Sequence, residues 1–382
     1  MTVTVTVTVT VTRTRQNRPV MEARADVIGS LLRPRRLLEA RERAARGELS
    51  PDQLEHVEDE AVDDVLRRQG ECGLDVVTDG ELRRLSFQSQ MVEAVEGFGE
   101  WDLEAFLWGE WHSNELGDLE IERPALAVVG RLVRRRFLSV AEFEYAYART
   151  DGVLKVTLPS PSLFSQFWDP ERSRGAYQTV EDFLWAAAGI LREEVEELVR
   201  RGATYLQLDA PHYPLLLDPR WRRFYEQRGS LALWIELDNH VLAAAPPEVT
   251  FGVHLCRGNQ ASRWLVEGAY DELADRLFPR LRAQRLLLEY DDERSGSFEP
   301  LRHVPDEMDV VLGLVTTKSG RQETRDELSR RIEEASAWVP LERLALSPQC
   351  GFATSIVGNA LTPEEQWAKL RTIGETARAV WG

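Results

Sequence analysis

His254 and Cys256 stand two positions apart in the stretch FGVHLCRGN, in a chain that has only three cysteines and six histidines. In an extended strand that spacing sends both side chains to the same face. Two further residues of ligating type close other apolar runs, Glu289 in RLLLEY and Cys350 in LSPQCGF. Two thiolates, one imidazole and one carboxylate make a donor set that suits Zn2+ in softness and geometry. Against a dication they leave the shell one negative charge. Such an electron-rich zinc generates hydroxide poorly, but it holds a substrate thiol as a nucleophilic thiolate near neutral pH. Structural zinc sites are normally sequence-local knuckles, whereas these donors are spread over residues 254 to 350, which points to a catalytic pocket. The plain alternative is that a buried cysteine is a small hydrophobe, which is the reading for Cys72 in its helix-to-strand turn.

These residues need elements that bring distant segments to one place. From Arg24 onward, short β-branched runs alternate with helical patterns, the signature of repeated βα units. Eight strand candidates can be read: 25–30, 74–80, 152–158, 203–209, 250–256, 285–290, 309–317 and 343–347. Helix starts are legible between them. Ser50 before Pro51 is an N-cap with proline in the first turn, Thr179 to Asp182 is a capping-box-like start, and Thr362–Pro363 repeats the first pattern. The fold class is α/β, and eight repeats predict a (β/α)8 barrel over residues 24–382, with strand ends gathered at one face. An open doubly wound sheet shares the local pattern, but no G-x-G-x-x-G follows the first strand. Residues 83–150, with the tryptophan-rich WDLEAFLWGEWHSNELGD, break the repeat and form an excursion between the second and third strands. Its aromatics either pack a local core or close over a site or an oligomer partner. Residues 1–23 open with a Thr/Val repeat, a low-complexity arm expected to be disordered.

A formal charge of −17 argues against nucleic acid as a partner, since that affinity rests on lysine and arginine neutralising phosphates. No run approaches the roughly 20 apolar residues of a membrane span. An odd cysteine count and the lack of a secretory-type start point to the cytoplasm.

The stretches HLCRGN, LEYDDERSGSFEPL, VVLGLVTTKSG, LALSPQCGF and LTPEEQWAKL, with IGSLLRP, GLDVVTDGELRR and GATYLQLDAP, resemble the catalytic barrel of cobalamin-independent methionine synthase, above all its short bacterial relatives. The resemblance covers most of residues 24–382. It implies a zinc-dependent S-methyltransferase in which His254, Cys256, Glu289 and Cys350 hold the metal. Homocysteine would be the thiol acceptor and a methyltetrahydrofolate the methyl donor. Ile28, Gly29 and Ser30 would hold the amino-acid carboxylate, and Glu81 and Asp209 its ammonium group; carboxylates at strand ends are the right complement for that charge. The alternative for these two is a salt bridge to an arginine such as Arg83 or Arg84.

The chain departs from the family pattern in two ways. The full-length synthases carry a general-acid histidine after the seventh strand, where this sequence reads LVTTKSG; Lys318 is the nearest replacement, and it could serve with Asp209 in catalysis only if its pKa were lowered or the leaving atom strongly basic. The N-terminal half that helps bind polyglutamylated folate has no counterpart, which leaves the donor open. Trp168, in FSQFWDP, would stack on a flat donor or else pack in the core. The nearest alternative activity is zinc-dependent alkyl transfer involving another thiol or donor, such as epoxide opening or demethylation. A zinc hydrolase or non-catalytic zinc protein is a third, and the two thiolates count against hydrolysis.

Overall fold

The computed structural model describes residues 22–382. Its strands are β1 (Val76–Val77), β2 (Val95–Phe98), β3 (Gly109–Trp111), β4 (Leu119–Ile121), β5 (Val128–Arg134), β6 (Val153–Pro159), β7 (Tyr205–Asp209), β8 (Thr250–Leu255), β9 (Arg285–Glu289), β10 (Asp309–Val315) and β11 (Leu344–Pro348). Its helices are α1 (Arg35–Ala45), α2 (Pro51–Glu71), α3 (Ser89–Ala94), α4 (Val140–Tyr147), α5 (Val180–Arg200), α6 (His212–Leu215), α7 (Pro219–Glu226), α8 (Leu231–Leu242), α9 (Asp271–Leu277), α10 (Arg325–Ser336) and α11 (Pro363–Trp381). No helix among the described residues is long and apolar enough to cross a membrane.

Seven strands pair in parallel in the order β1-β6-β7-β8-β9-β10-β11. Strands β7 to β11 are buried on both faces, which explains their near-continuous apolar sequence. The segment starting at Arg24 closes the ring. Ala25 bridges Leu346 in parallel, Asp26 N–H donates to the Leu346 carbonyl at 2.9 Å, and Asp75 and Val76 N–H donate to the Ala25 carbonyl. The barrel is therefore (β/α)8, as the sequence implies, with its expected first strand (25–30) reduced to a bridge. The expected strand 74–80 is likewise only β1. Beyond it the Gln69 side chain of α2 satisfies both the N–H and the carbonyl of Thr78, replacing ladder bonds, and Gly80 turns the chain at φ 72°.

The helices begin where their caps predict. Ser50, Thr179 and Thr362 each accept the N–H three residues on and complete reciprocal capping boxes with Gln53, Asp182 and Glu365. Between β1 and β6 the chain builds α3, α4 and two antiparallel pairs, β2 with β5 and β3 with β4. The β3–β4 hairpin is tied to the loop after β8 through a bridge between His112 and Trp264. Of the expected arm, residues 1–21 lie outside the described residues. Ala23 is buried, its carbonyl accepting from Arg285 Nη2 at 3.1 Å.

Candidate active site

His254 lies in β8, Cys256 one residue beyond it, and Cys350 two residues beyond β11. All three are buried, and one ligand atom from each falls within 4.8 Å of the others. His254 Nδ1 is 2.9 Å from Asp209 Oδ1, and its Nε2 is 3.3 Å from the Gln349 carbonyl. The two sulfurs are coupled: a hydrogen bond from the Cys350 thiol, backed by His254, lowers the Cys256 pKa against burial, and the Cys350 thiol is raised. Burial opposes charge on His254, yet Cys256 and Asp209 raise it to about 9. A soft cation entering this trio would displace protons already shared among its members.

Glu289, the last residue of β9, is not in that trio. Its Oε1 accepts from Lys318 Nζ at 2.9 Å and its Oε2 from Arg257 N–H at 2.6 Å. Burial alone would raise this carboxyl, but Lys318 and Arg257 keep it well below the ordinary range. Lys318 also reaches Asp291 Oδ2 at 3.5 Å. Burial opposes its charge, but Asp291 and Glu289 outweigh it and hold the ammonium above the usual lysine range. Clamped in this way, Lys318 does not meet the first of the two conditions for a proton donor, a lowered pKa.

Glu81 follows β1 in a turn and adopts φ 54°, left-handed backbone that a non-glycine residue enters at a cost. Its Oε1 accepts from the Thr157 hydroxyl at 2.7 Å, while Oε2 is buried without a partner. The arginine alternative is weak, because Arg84 stands 3.8 Å away and is spent mainly on Glu142, and Arg83 pairs with Glu58 and Asp59. Burial raises the Glu81 carboxyl, with Arg84 opposing. Asp209 Oδ1 accepts from Gln207 Nε2 at 2.8 Å besides facing His254, so it is partly committed to the imidazole. Gly29 lies behind Glu81, where a Cβ would overlap Oε1, and its carbonyl accepts from the Thr78 hydroxyl at 2.6 Å. Ser30 abuts Gly351, and its carbonyl accepts from Phe352 N–H at 2.8 Å, which locks the loop after the closing segment against the loop carrying Cys350.

Ile28, Ser30, Glu81, Asp209, His254, Cys256 and Cys350 share one cavity. Its other side comes from the excursion and the chain after β7: Trp108, Trp111, Trp221 and Tyr225, with Gln166 between. The Trp108 indole N–H donates to Gln166 Oε1, and its ring centroid is 4.8 Å from that of Trp221. Trp168 is absent from the cavity wall and packs half-buried against the core, the second of the two placements expected of it. The sequence signal for the true aromatic wall was the tryptophan-dense FLWGEW; nothing marked Trp221 or Tyr225.

Residues 24–377 match the family model of the cobalamin-independent synthase catalytic domain. The Bacillus subtilis protein YxjH, itself uncharacterised, is 34% identical over 94% of each chain. A methionine synthase of Pyrococcus abyssi is 26% identical over 85% of each. The structure of a B12-independent methionine synthase from Shewanella sp. W3-18-1 superposes with a TM-score of 0.69 at 19% identity, over 93% of this chain and 96% of that one.

Proposed function

Because the chain belongs to the cobalamin-independent synthase catalytic-domain family of methyltransferases, we propose that it transfers a methyl group to homocysteine to give methionine, using zinc at the His254, Cys256 and Cys350 trio with Glu289 as fourth donor. The observation that carries this reading is the convergence of three buried ligand atoms within 4.8 Å from segments far apart in sequence. The residues fit zinc by the chemistry of the donor set, two sulfurs and an imidazole. Zinc held there would supply the Lewis acidity that keeps a bound thiol ionised near neutral pH.

The protein's own residues do the rest. Asp209 fixes the imidazole by its Nδ1, the arrangement that orients a metal-ligating histidine, and Nε2, 3.3 Å from the Gln349 carbonyl, is the nitrogen left for the metal. Lys318 and the Arg257 N–H hold Glu289 ionised, so that it can reach or leave the metal without taking up a proton. Glu81, with one oxygen unpartnered, receives the ammonium of the amino-acid thiol, and Asp209 adds a second negative charge. Ser30 and the backbone from Ile28 to Ser30 receive its carboxylate. The three cysteines, all buried and unpaired, are consistent with a reducing cytoplasm.

Elemental analysis of purified protein is expected to give about one zinc per chain, with Cys256→Ser and Cys350→Ser each losing both zinc and homocysteine methylation. Full zinc content in both variants would remove these cysteines from the ligand set.

A further inference from the structure

Glu81 ends a buried chain of polar contacts that leads away from the cavity. Its Oε1 accepts from the Thr157 hydroxyl at 2.7 Å, and that hydroxyl accepts in turn from Arg84 Nη1 at 2.9 Å. A hydroxyl has one proton, and with Arg84 donating to its oxygen that proton is left for Glu81. Arg84 donates through Nε at 3.0 Å and Nη2 at 2.9 Å to a single oxygen, Oε2 of Glu142 on α4. The start of α4 is itself pinned, because Glu194 of α5 accepts from the Leu138 and Ser139 N–H groups at 2.7 and 2.8 Å. Glu81 lines the cavity, whereas Thr157, Arg84 and Glu142 do not.

This chain decides where the charge of Arg84 goes. Arg84 Nη1 stands 3.8 Å from Glu81 Oε1, within ion-pair distance, yet its side-chain hydrogen bonds go to Glu142 and Thr157. Burial opposes the charge on Arg84, but Glu142 and then Glu81 outweigh it and hold the guanidinium above its usual range. Two carboxylates thus share one cation, which leaves one negative charge over. Arg33 and Asp79 beside the turn add one charge of each sign and do not alter that balance. Arg33 spends its terminal nitrogens on the carbonyls of Ala353, Ser355, Glu81 and Arg84, and Asp79 Oδ1 accepts from Glu81 N–H. Without Glu142, Glu81 would be the remaining carboxylate within ion-pair distance of Arg84 among the described residues, and an arriving ammonium would have to compete with a guanidinium for it.

We propose that Glu142 is a positioning residue for the acceptor's ammonium group: by holding Arg84 it leaves the charge of Glu81 uncompensated, so that the site selects thiols carrying an α-ammonium. This inference rests on the thiol-methylation reading above. Arg84 and Glu142 both belong to the excursion between β1 and β6, so the segment that breaks the βα repeat sets acceptor selectivity without touching the acceptor. A thiol acid that lacks the ammonium gains nothing from the arrangement.

The test measures binding of homocysteine and of 4-mercaptobutanoate, the same thiol acid without its ammonium, to the full-length, zinc-loaded protein by calorimetry. Burial raises the Glu142 carboxyl to about 7, with Arg84 opposing, so the measurement is made at about pH 8, where that group is ionised. The parent is expected to prefer homocysteine. Glu142→Gln is expected to weaken homocysteine about tenfold and 4-mercaptobutanoate less than about twofold, with zinc content unchanged. Removing the guanidinium as well, in Glu142→Gln combined with Arg84→Gln, should bring homocysteine affinity back to within about threefold of the parent, a recovery that a packing defect would not show. Thr157→Val is close to isosteric and keeps the Glu142–Arg84 pair; it should lose homocysteine selectively too, and it serves should Glu142→Gln fail to fold. Equal weakening of both thiols, an unchanged homocysteine affinity, or a double variant no better than the single overturns the proposal, and thiol methylation stands as long as the parent binds homocysteine. A parent that binds neither thiol takes both readings down.

Discussion

Glu81 is the residue where local cost and local use coincide. Its left-handed backbone, the missing Cβ of Gly29 and the Thr157 hydroxyl together aim a carboxylate with one unpartnered oxygen into the cavity. Strain of that kind typically costs on the order of 1–3 kcal/mol and persists where the surroundings enforce it. Gly29→Ala should push Oε1 aside and weaken homocysteine affinity of the zinc-loaded protein by roughly tenfold or more, with metal content intact. Glu81→Gln should do the same by removing the charge, at a cost of about 2 kcal/mol or more for an unpaired buried ammonium. Calorimetry with homocysteine checks both, and an unchanged affinity in Glu81→Gln would take this carboxylate out of the substrate site. The convergence of His254, Cys256 and Cys350 was legible in the sequence because a two-residue spacing and strand-end positions carry geometric information, whereas Glu289, also read as a donor, lies outside that trio. Glu81 was legible only through resemblance. The surroundings of Lys318 were not legible, because they depend on Asp291 and Glu289, neither of which has any sequence relation to it that implies contact. Which of Trp168, Trp108 and Trp221 lines the cavity was not legible either, since aromatic residues in loops have no periodicity to show which way they face.

Elements are held to the strand ends by buried polar contacts, and α8 shows how pH should act on one of them. Asp238, on its inner face, accepts from the Ser160 hydroxyl at 2.6 Å, beyond β6, and from the Tyr213 hydroxyl at 2.7 Å, in α6. Burial raises its carboxyl to about 7, with those two bonds opposing. The folded pKa thus lies above the unfolded value of about 3.9. Between the two the folded state binds more protons, so the contribution of Asp238 to stability is complete below about pH 4 and is lost as pH rises through about 7. Asp238→Asn keeps a neutral amide where the acid is protonated. Measured by urea unfolding against the parent at each pH, so that other titrating groups cancel, the variant should be near parity at about pH 4. By pH 8 it should be the more stable of the two by roughly 2–4 kcal/mol. An equal difference at both pH values would show that Asp238 stays ionised in the fold.

At the scale of the whole molecule, the repeated βα pattern in the sequence fitted a closed barrel and left an open sheet as the alternative, the family resemblance favoured the barrel, and neither showed how it closes. Seven of the eight candidate runs became sheet strands, while the run from Ala25 contributes a bridge. Its short ladder is reinforced by charge at the N-terminal ends of the strands, which no pattern of apolar residues could reveal. Asp26 on the closing segment accepts from Lys155 Nζ of β6 at 2.9 Å and from the Tyr205 hydroxyl of β7 at 2.9 Å, and lies 3.5 Å from Arg285 of β9. Arg285 in turn lies 3.6 Å from Asp309 of β10, so the cluster spans the ring beneath the cavity. The side chains of Asp26, Lys155 and Arg285 are fully buried. Removing one member of such a group leaves an uncompensated charge, at about 3–5 kcal/mol, whereas replacing a pair with neutral groups can be nearly free. Lys155→Met should therefore lose about that much in urea unfolding while keeping its zinc, because the metal donors sit at the opposite strand ends. Asp26→Asn combined with Lys155→Met should recover at least half of the loss, since the amide keeps partners for Tyr205 and needs no counter-ion. A single variant that loses less than about 1 kcal/mol would mean that Arg285 alone balances Asp26. A double variant no better than the single would mean that Lys155 acts through packing of its stem between β6 and the closing segment rather than through its charge.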